Sequence, residues 1–69
     1  MPLTLAKIGD ENKIKRITGK EDIRHFLANL GFVEGGIVKV VTSIKGNVIV
    51  EVKGSRVAVS SQMAGKIYI

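Results

Sequence analysis

The chain has 69 residues, of which 45% are apolar and only 4% aromatic, and its formal net charge is +5. This length allows one domain with a small aliphatic core, so residues 1–69 are predicted to form a single domain. The absence of cysteine excludes disulfides, thiolate zinc sites and cysteine nucleophiles, and it fits a reducing cytoplasm. No apolar run reaches the roughly 18 residues that a membrane helix needs, so we expect a soluble cytoplasmic protein.

The N-terminal region predicts two extended segments joined by a glycine turn. Leu3 and Leu5 alternate with polar or small neighbours, as in an edge strand that buries one side. After the turn, a strand is predicted over residues 12–18. Its apolar residues Ile14 and Ile17 are three positions apart, which a flat strand cannot place on one face. A β-bulge between them is therefore predicted, since it would direct both side chains into the core.

An amphipathic helix is predicted at about residues 20–30. Its apolar residues recur at i, i+3, i+4 and i+7, which places on one core-facing side Ile23, Phe26, Leu27 and Leu30. Glu21 lies in the first turn, where the helix dipole favours a carboxylate, and it has capping-box spacing from Thr18. Gly31 follows the last periodic residue, where a left-handed cap is expected.

The C-terminal half predicts strands rich in β-branched residues and separated by glycine turns. In the first hairpin, a two-residue turn at the Gly-Asn pair would place Val40 opposite Lys53. A three-residue loop over residues 45–47 would instead place Val40 opposite Val52. Because the second register matches apolar with apolar residues, we predict the three-residue loop, with Asn47 in the left-handed conformation.

The remaining segments predict a second hairpin, a helical turn and a closing strand. A two-residue turn at Gly54-Ser55 would place Lys53 opposite Arg56. A short helical turn is predicted at about residues 60–65, with a serine cap at its start and a glycine at its end. Residues 66–69 predict a final strand that pairs with the N-terminal segment. This pairing would close the sheet into a small barrel and remove exposed strand edges.

No group of residues in the sequence predicts catalysis or metal binding. The single histidine, His25, lies beside Arg24 on the polar side of the predicted helix, with no second ligand at a useful helical offset. The serines have no candidate base nearby, and the glycines do not follow a phosphate-binding pattern. We therefore expect no enzymatic activity, no cofactor and no metal site.

Two binding functions remain open from the residues alone. A nucleic-acid module is suggested by the basic charge, but it would have few stacking groups, because the aromatic residues are Phe26, Phe32 and Tyr68 and the first is predicted to be buried. A protein-interaction module is the other possibility, with Phe32 and Val33 as its candidate contact residues. Nucleic-acid binding should weaken steeply with salt, whereas protein binding need not.

Short motifs also follow one another in a specific order along nearly the whole chain. The helix ends in Leu30-Gly31-Phe32-Val33, and after it come Gly35, Val38-x-Val40, Val50-x-Val52-x-Gly54 and Val57-Ala58-Val59. This order resembles the ferrous iron transport protein A (FeoA) family. Two positions depart from the family pattern, since Glu34 and Asn47 stand where it commonly has proline. The resemblance implies a mostly β fold, a small SH3-like β-barrel with the helix packed across it.

The resemblance further implies a small, cytoplasmic, non-enzymatic accessory of ferrous iron uptake. Its implied partner is a membrane ferrous iron transporter that carries a cytoplasmic G-protein domain. We expect partner-binding residues at positions that do not serve the core, which are Arg24, His25, Phe32, Val33, Glu34, Lys45 and Asn47. The alternative function is a basic small-barrel module that binds RNA or DNA.

Overall fold

The structure, a computed structural model, describes all 69 residues and is dominated by antiparallel strands. The elements in chain order are a 3-10 helix at Leu3–Leu5, β1 at Glu11–Lys13, β2 at Arg16–Ile17, α1 at Glu21–Asn29, β3 at Ile37–Ile44, β4 at Asn47–Val52, β5 at Ser55–Ser60, α2 at Ser61–Ala64 and β6 at Ile67–Tyr68. The predicted long helix and the predicted short helical turn are therefore both present.

The strands form two sheets. One has four strands in the order β1-β3-β4-β5, and the other pairs β2 with β6. The final strand does pair with the N-terminal region, as predicted, with Ile17 opposite Ile67. The prediction of one closed sheet is wrong, because the chain changes sheets after β1: the N–H of Ile14 donates to Gly36 O at 2.8 Å, and the next N–H, of Lys15, donates to Tyr68 O at 2.7 Å.

This change of sheet also replaces the single strand that was predicted over residues 12–18. Ile14 is 1% exposed and Ile17 is half-buried, so both contact the core without the predicted bulge. The predicted edge strand at the N-terminus is likewise wrong. The chain forms a 3-10 helix there, which buries Leu3 and leaves Leu5 exposed, because a helical turn does not alternate its side chains as a strand does.

Helix α1 confirms the predicted segment but contacts the core through a narrower stripe. Leu27 is buried and Ile23 and Leu30 are half-buried, whereas Phe26 is 49% exposed, so the predicted burial of Phe26 is wrong. The left-handed cap at Gly31 is confirmed by its φ of +108°.

The predicted capping box at the start of α1 is wrong as well. The N-cap residue is Lys20, whose side chain makes no capping hydrogen bond, and in the first turn it is Asp22 Oδ1 that accepts from the Ile23 N–H, at 2.9 Å. The hydroxyl of Thr18 instead donates to Lys66 O at 3.3 Å, which ties the start of the helix to the two-stranded sheet.

Both long hairpins have two-residue turns with a lysine at the first position and a glycine at the second. At Lys45-Gly46, where φ is +41° and +80°, Ile44 lies opposite Asn47. A bulge between Val40 and Thr42 then shifts the register so that Val40 faces Val50. The predicted three-residue loop, the left-handed Asn47 and the Val40–Val52 pair are therefore wrong, because the bulge restores the apolar pairing that the loop was meant to provide.

The second hairpin differs from its prediction by one residue. Its turn is Lys53-Gly54, with φ of +50° and +76°, so Val52 faces Ser55 and Arg56 faces Glu51 rather than Lys53. Positive φ at both central positions gives the turn a twist that matches paired strands, and glycine adopts such a φ without a steric penalty.

A single apolar core lies between the two sheets and the helices. Its 13 buried residues are all apolar, and no polar or charged residue is buried with them. The β3–β5 strands contribute valines to it, while α1, α2, β6 and the N-terminal helix contribute larger aliphatic side chains or alanine. Helix α2 begins at the predicted serine cap, since Ser60 Oγ accepts from the Met63 N–H at 3.2 Å.

Candidate functional site

A cleft of about 370 Å³ lies along the flank of α1. One wall consists of helix residues spaced at about one turn, namely Glu21, Arg24, His25 and Ala28. The opposite side comes from Val33 and Glu34 in the loop after the helix and from Ile17 of β2, with Phe32 at the base. The cleft therefore combines charged side chains with an apolar base.

The turn at the end of α1 determines which side chains reach this cleft. The N–H of Phe32 donates to Leu27 O at 3.0 Å, which reverses the chain beyond the helix. Phe32 is 0% exposed as a result, and Val33 and Glu34 return beside the helix. The loop is held in place because the Gly35 N–H donates to Ile14 O at 2.8 Å and the Gly36 N–H to Val33 O at 3.0 Å.

The charged groups of the cleft are solvated and of both signs. His25 Nε2 lies 3.5 Å from Glu21 Oε1, and these side chains are 73% and 80% exposed. At such exposure this contact contributes little to stability, so both side chains are available to a partner. Arg24 adds a positive charge and Glu34 a second negative one. This arrangement suits the docking of a protein segment with apolar and charged residues.

The cleft brings together most of the residues that are predicted to bind a partner. Arg24, His25, Phe32, Val33 and Glu34 all line it. Phe32 differs from its prediction because its side chain is buried and forms part of the core rather than an exposed contact.

The other two selected residues lie outside the cleft. Lys45 and Asn47 flank Gly46 at the β3–β4 turn, and both are exposed. Gly46 O accepts from both the N–H and the hydroxyl of Ser61 at 2.9 Å, so this turn is fixed against α2. Asn47 O also accepts from Ser43 Oγ at 3.4 Å. The hairpin is therefore a separate surface feature.

Three residues of the cleft were not selected from the sequence. The sequence predicts dipole compensation and a capping box for Glu21, and it predicts no binding role for Ala28 or Ile17. The spacing of Glu21, His25 and Ala28 at i, i+4 and i+7 could have identified Glu21 and Ala28, because such residues form one stripe along a helix. Ile17 lies in β2, outside this stripe.

The structure contains no group of three or more His, Cys, Asp or Glu side chains placed to hold a metal ion. None of its helices has the length and apolar character needed to cross a bilayer.

Comparison with known proteins identifies the family. The FeoA domain model matches residues 1–69. A relative from Methanocaldococcus jannaschii, described as "Putative Fe(2+) transport protein A", is 34% identical over 68 residues, which are 99% of this chain and 83% of the relative.

Solved structures share the fold over the same length. The crystal structure of an iron uptake regulatory protein (FeoA) matches with a TM-score of 0.89 and 28% identity, over 97% of this chain and 91% of that one. A manganese-dependent transcriptional repressor matches with a TM-score of 0.90 but 19% identity, over all of this chain and 40% of the repressor, so only the fold is shared there. The chain therefore belongs to the FeoA family and has its SH3-like fold.

Proposed function

We propose that this protein is a non-enzymatic accessory of ferrous iron uptake that acts in the cytoplasm. Its partner is the cytoplasmic, G-protein-containing part of a membrane ferrous iron transporter, and the α1 cleft is the docking surface. Membership of the FeoA family and the relative named for Fe(2+) transport support the role in iron uptake. The observation that supports the docking surface is the cleft itself, which collects charged groups of both signs around an apolar base.

The polarity of the cleft favours a protein partner over a small molecule. Small-molecule sites usually enclose a few precisely placed polar groups, whereas Glu21 and His25 are largely solvated. An apolar centre with an exposed polar rim is instead the usual arrangement of a protein interface. The fixed loop at Val33 and Glu34 presents this surface without a large ordering cost on binding.

The experiment is a calorimetric titration of the purified soluble domain of the transporter with this protein and two charge-reversal variants. Arg24→Glu places a negative charge inside the cleft, and we expect it to weaken binding by about tenfold or more. Lys7→Glu is the matched control, because Lys7 is also exposed and undergoes the same charge change but does not line the cleft. Its affinity should equal that of the parent protein.

Lys45→Glu in the same titration tests whether the β3–β4 turn belongs to the interface. A loss of affinity with Lys45→Glu and none with Arg24→Glu would move the docking surface to the hairpin. If Arg24→Glu and Lys45→Glu both bind like the parent protein, the proposed surfaces are wrong.

The nucleic-acid alternative gives a different result in a parallel titration. Binding of RNA or DNA, with a steep loss of affinity as salt rises and no binding of the transporter domain, would favour it. Its stacking groups are few in the structure. Phe32 is buried, and Arg16 lies over the ring of Tyr68 at 4.8 Å from the centroid, which leaves Phe26 as the exposed aromatic side chain.

A further inference from the structure

Strand β5 forms an open edge of the four-stranded sheet. The strand order ends at β5, which runs for six residues with one charged side chain and no proline. The opposite edge, β1, has only three residues, of which Glu11 and Lys13 are charged. Charge and shortness protect an edge from pairing with another strand, so β5 is the edge that remains competent for pairing.

The register of β5 shows which of its backbone groups point outward. In an antiparallel pair, hydrogen-bonded and non-hydrogen-bonded residues alternate along the strand. The N–H of Ser61 donates to Gly46 O at 2.9 Å, so the alternation leaves Ser60, Ala58 and Arg56 directed away from β4. The side chains of these three residues are exposed as well.

We propose that this edge pairs antiparallel with β5 of a second copy of the protein, with Ala58 at the twofold axis. Ala58 then lies opposite Ala58 of the second copy, and each exchanges its N–H and C=O with the other. Arg56 of one copy lies opposite Ser60 of the other copy, and the N–H of that Ser60 donates to the Arg56 carbonyl. The carbonyl of Ser60 accepts the first bond of α2 as its N-cap, so the N–H of Arg56, an exposed residue at the end of the pairing, is left to water. The two four-stranded sheets become one continuous sheet.

The side chains of the strand are complementary to themselves in this register. Arg56 faces a serine rather than a second arginine, so no like charges are opposed. On the core-facing side of the sheet, Val57 of one copy faces Val59 of the other. On the outward side, the small Ala58 meets itself and continues the row that it forms with Ile49 of β4. This complementarity identifies a second copy as the occupant.

Self-association through one strand should be weak. Stable interfaces bury about 1,600 Å² in total, and a single six-residue strand contributes only part of this area, so we expect a Kd on the order of 0.1–1 mM. The edge does not include residues of the α1 cleft, so the inference does not depend on the proposed function.

The test is sedimentation equilibrium of the full chain at concentrations up to about tenfold above the expected Kd. The average mass should rise from 7.4 kDa towards twice that value. Ala58→Lys and Ala58→Glu should each abolish the rise, because the register places each new charge opposite an identical one. An equimolar mixture of the two variants should restore it, since the lysine of one variant then faces the glutamate of the other across the axis.

Ala58→Ser is the matched control, because it alters the same exposed position without adding a charge and should associate like the parent chain. A parent mass that stays at 7.4 kDa throughout, or association that persists in Ala58→Lys and in Ala58→Glu, would overturn the proposal. Failure of the mixed variants to associate would exclude the twofold register at Ala58. Circular dichroism of each variant confirms that it is folded.

Discussion

Phe32 serves the core and the cleft at the same time. Its side chain is 0% exposed, yet it contributes to the base of the cleft, and its N–H is bonded to Leu27 O at 3.0 Å. A residue of this kind cannot be varied to test binding, because any loss of binding would be combined with a loss of folding. Solvated residues such as Arg24 are therefore the informative positions for the interface.

We predict that Phe32→Ala lowers the free energy of unfolding by about 3–5 kcal/mol, since it removes a large buried side chain and leaves a cavity. Such a loss is a large share of the stability of a small domain. Phe26→Ala is the matched control: Phe26 is 49% exposed, so we expect a loss of less than about 1 kcal/mol. Urea unfolding followed by far-UV circular dichroism measures both values. Equal losses in the two variants would contradict this assignment of the core.

The contrast between these two phenylalanines shows the limit of periodicity at the scale of single residues. The i, i+3, i+4, i+7 pattern correctly located the helix face that contains Leu27, but α1 contacts the core only through a narrow stripe, which leaves Phe26 at its margin. Beyond the helix, the φ of +108° at Gly31 redirects the chain and turns Phe32 inward. A helical pattern carries no information about a side chain beyond that point.

At the scale of elements, the turn of each long hairpin holds a lysine at a positive backbone φ, which is unfavourable for lysine. Lys45 has a φ of +41° and Lys53 a φ of +50°. Residues with a side chain adopt such values at a cost, which is smallest for asparagine and aspartate, and asparagine before glycine is the preferred pair in this type of turn. The two turns therefore fix the register of their hairpins although each has a lysine at a position where positive φ is unfavourable for that residue.

We predict that Lys53→Asn raises the free energy of unfolding by about 0.5–1 kcal/mol, since it relieves this backbone cost. Lys53→Gln is the matched control, because it also removes the charge but lacks the preference of asparagine for positive φ. Urea unfolding of the two variants separates the effects. A Gln variant as stable as the Asn variant would attribute the gain to charge rather than to the turn.

The elements themselves were largely predictable, but their pairing was not. The helix, the three long strands and the serine cap of α2 follow from periodicity, β-branched residues and capping preferences. The predicted register of the first hairpin was wrong because the bulge between Val40 and Thr42 has no distinct sequence signal. Glycine at the second turn position, in Lys45-Gly46 and Lys53-Gly54, was the available signal for both two-residue turns.

The four-stranded sheet also carries a row of alternating charges on its outer face. The register places Glu11 opposite Lys39, Lys39 opposite Glu51, and Glu51 opposite Arg56. A smaller cleft of about 250 Å³ lies over part of this row. Cross-strand pairs of opposite charge stabilise a sheet, and like charges directly opposite destabilise it.

We predict that Glu51→Lys lowers the free energy of unfolding by about 0.5–2 kcal/mol, because it places like charges opposite both neighbours. Glu51→Gln, the matched control, removes the attraction without adding repulsion and should cost less. The difference between the variants should shrink in 1 M salt, where the screening length is about 3 Å. Unfolding titrations at low and high salt measure it, and a salt-independent difference would point to packing instead.

At the scale of the molecule, the two sheets are joined through one set of buried side chains. Ile67 of β6 and Ile14, between β1 and β2, belong to the same cluster as Val50 of β4. The β2–β6 sheet is too small to be stable on its own, since an isolated pair of strands is at best marginally stable in water. The chain should therefore unfold as one cooperative unit, although its hydrogen-bonded sheets are separate.

Ile67→Val tests this cooperativity, because it removes one methylene group from the smaller sheet. We predict that the free energy of unfolding falls by about 0.5–1.5 kcal/mol. The free energy of opening measured at the slowest-exchanging amides of β4 should fall by the same amount. Native-state hydrogen exchange and urea unfolding provide the two values. The matched control is Ile37→Val, which makes the same change at a side chain that is 51% exposed and should leave both values nearly unchanged. If β4 amides kept their full protection in Ile67→Val, the two sheets would open independently, and the shared core would not couple them.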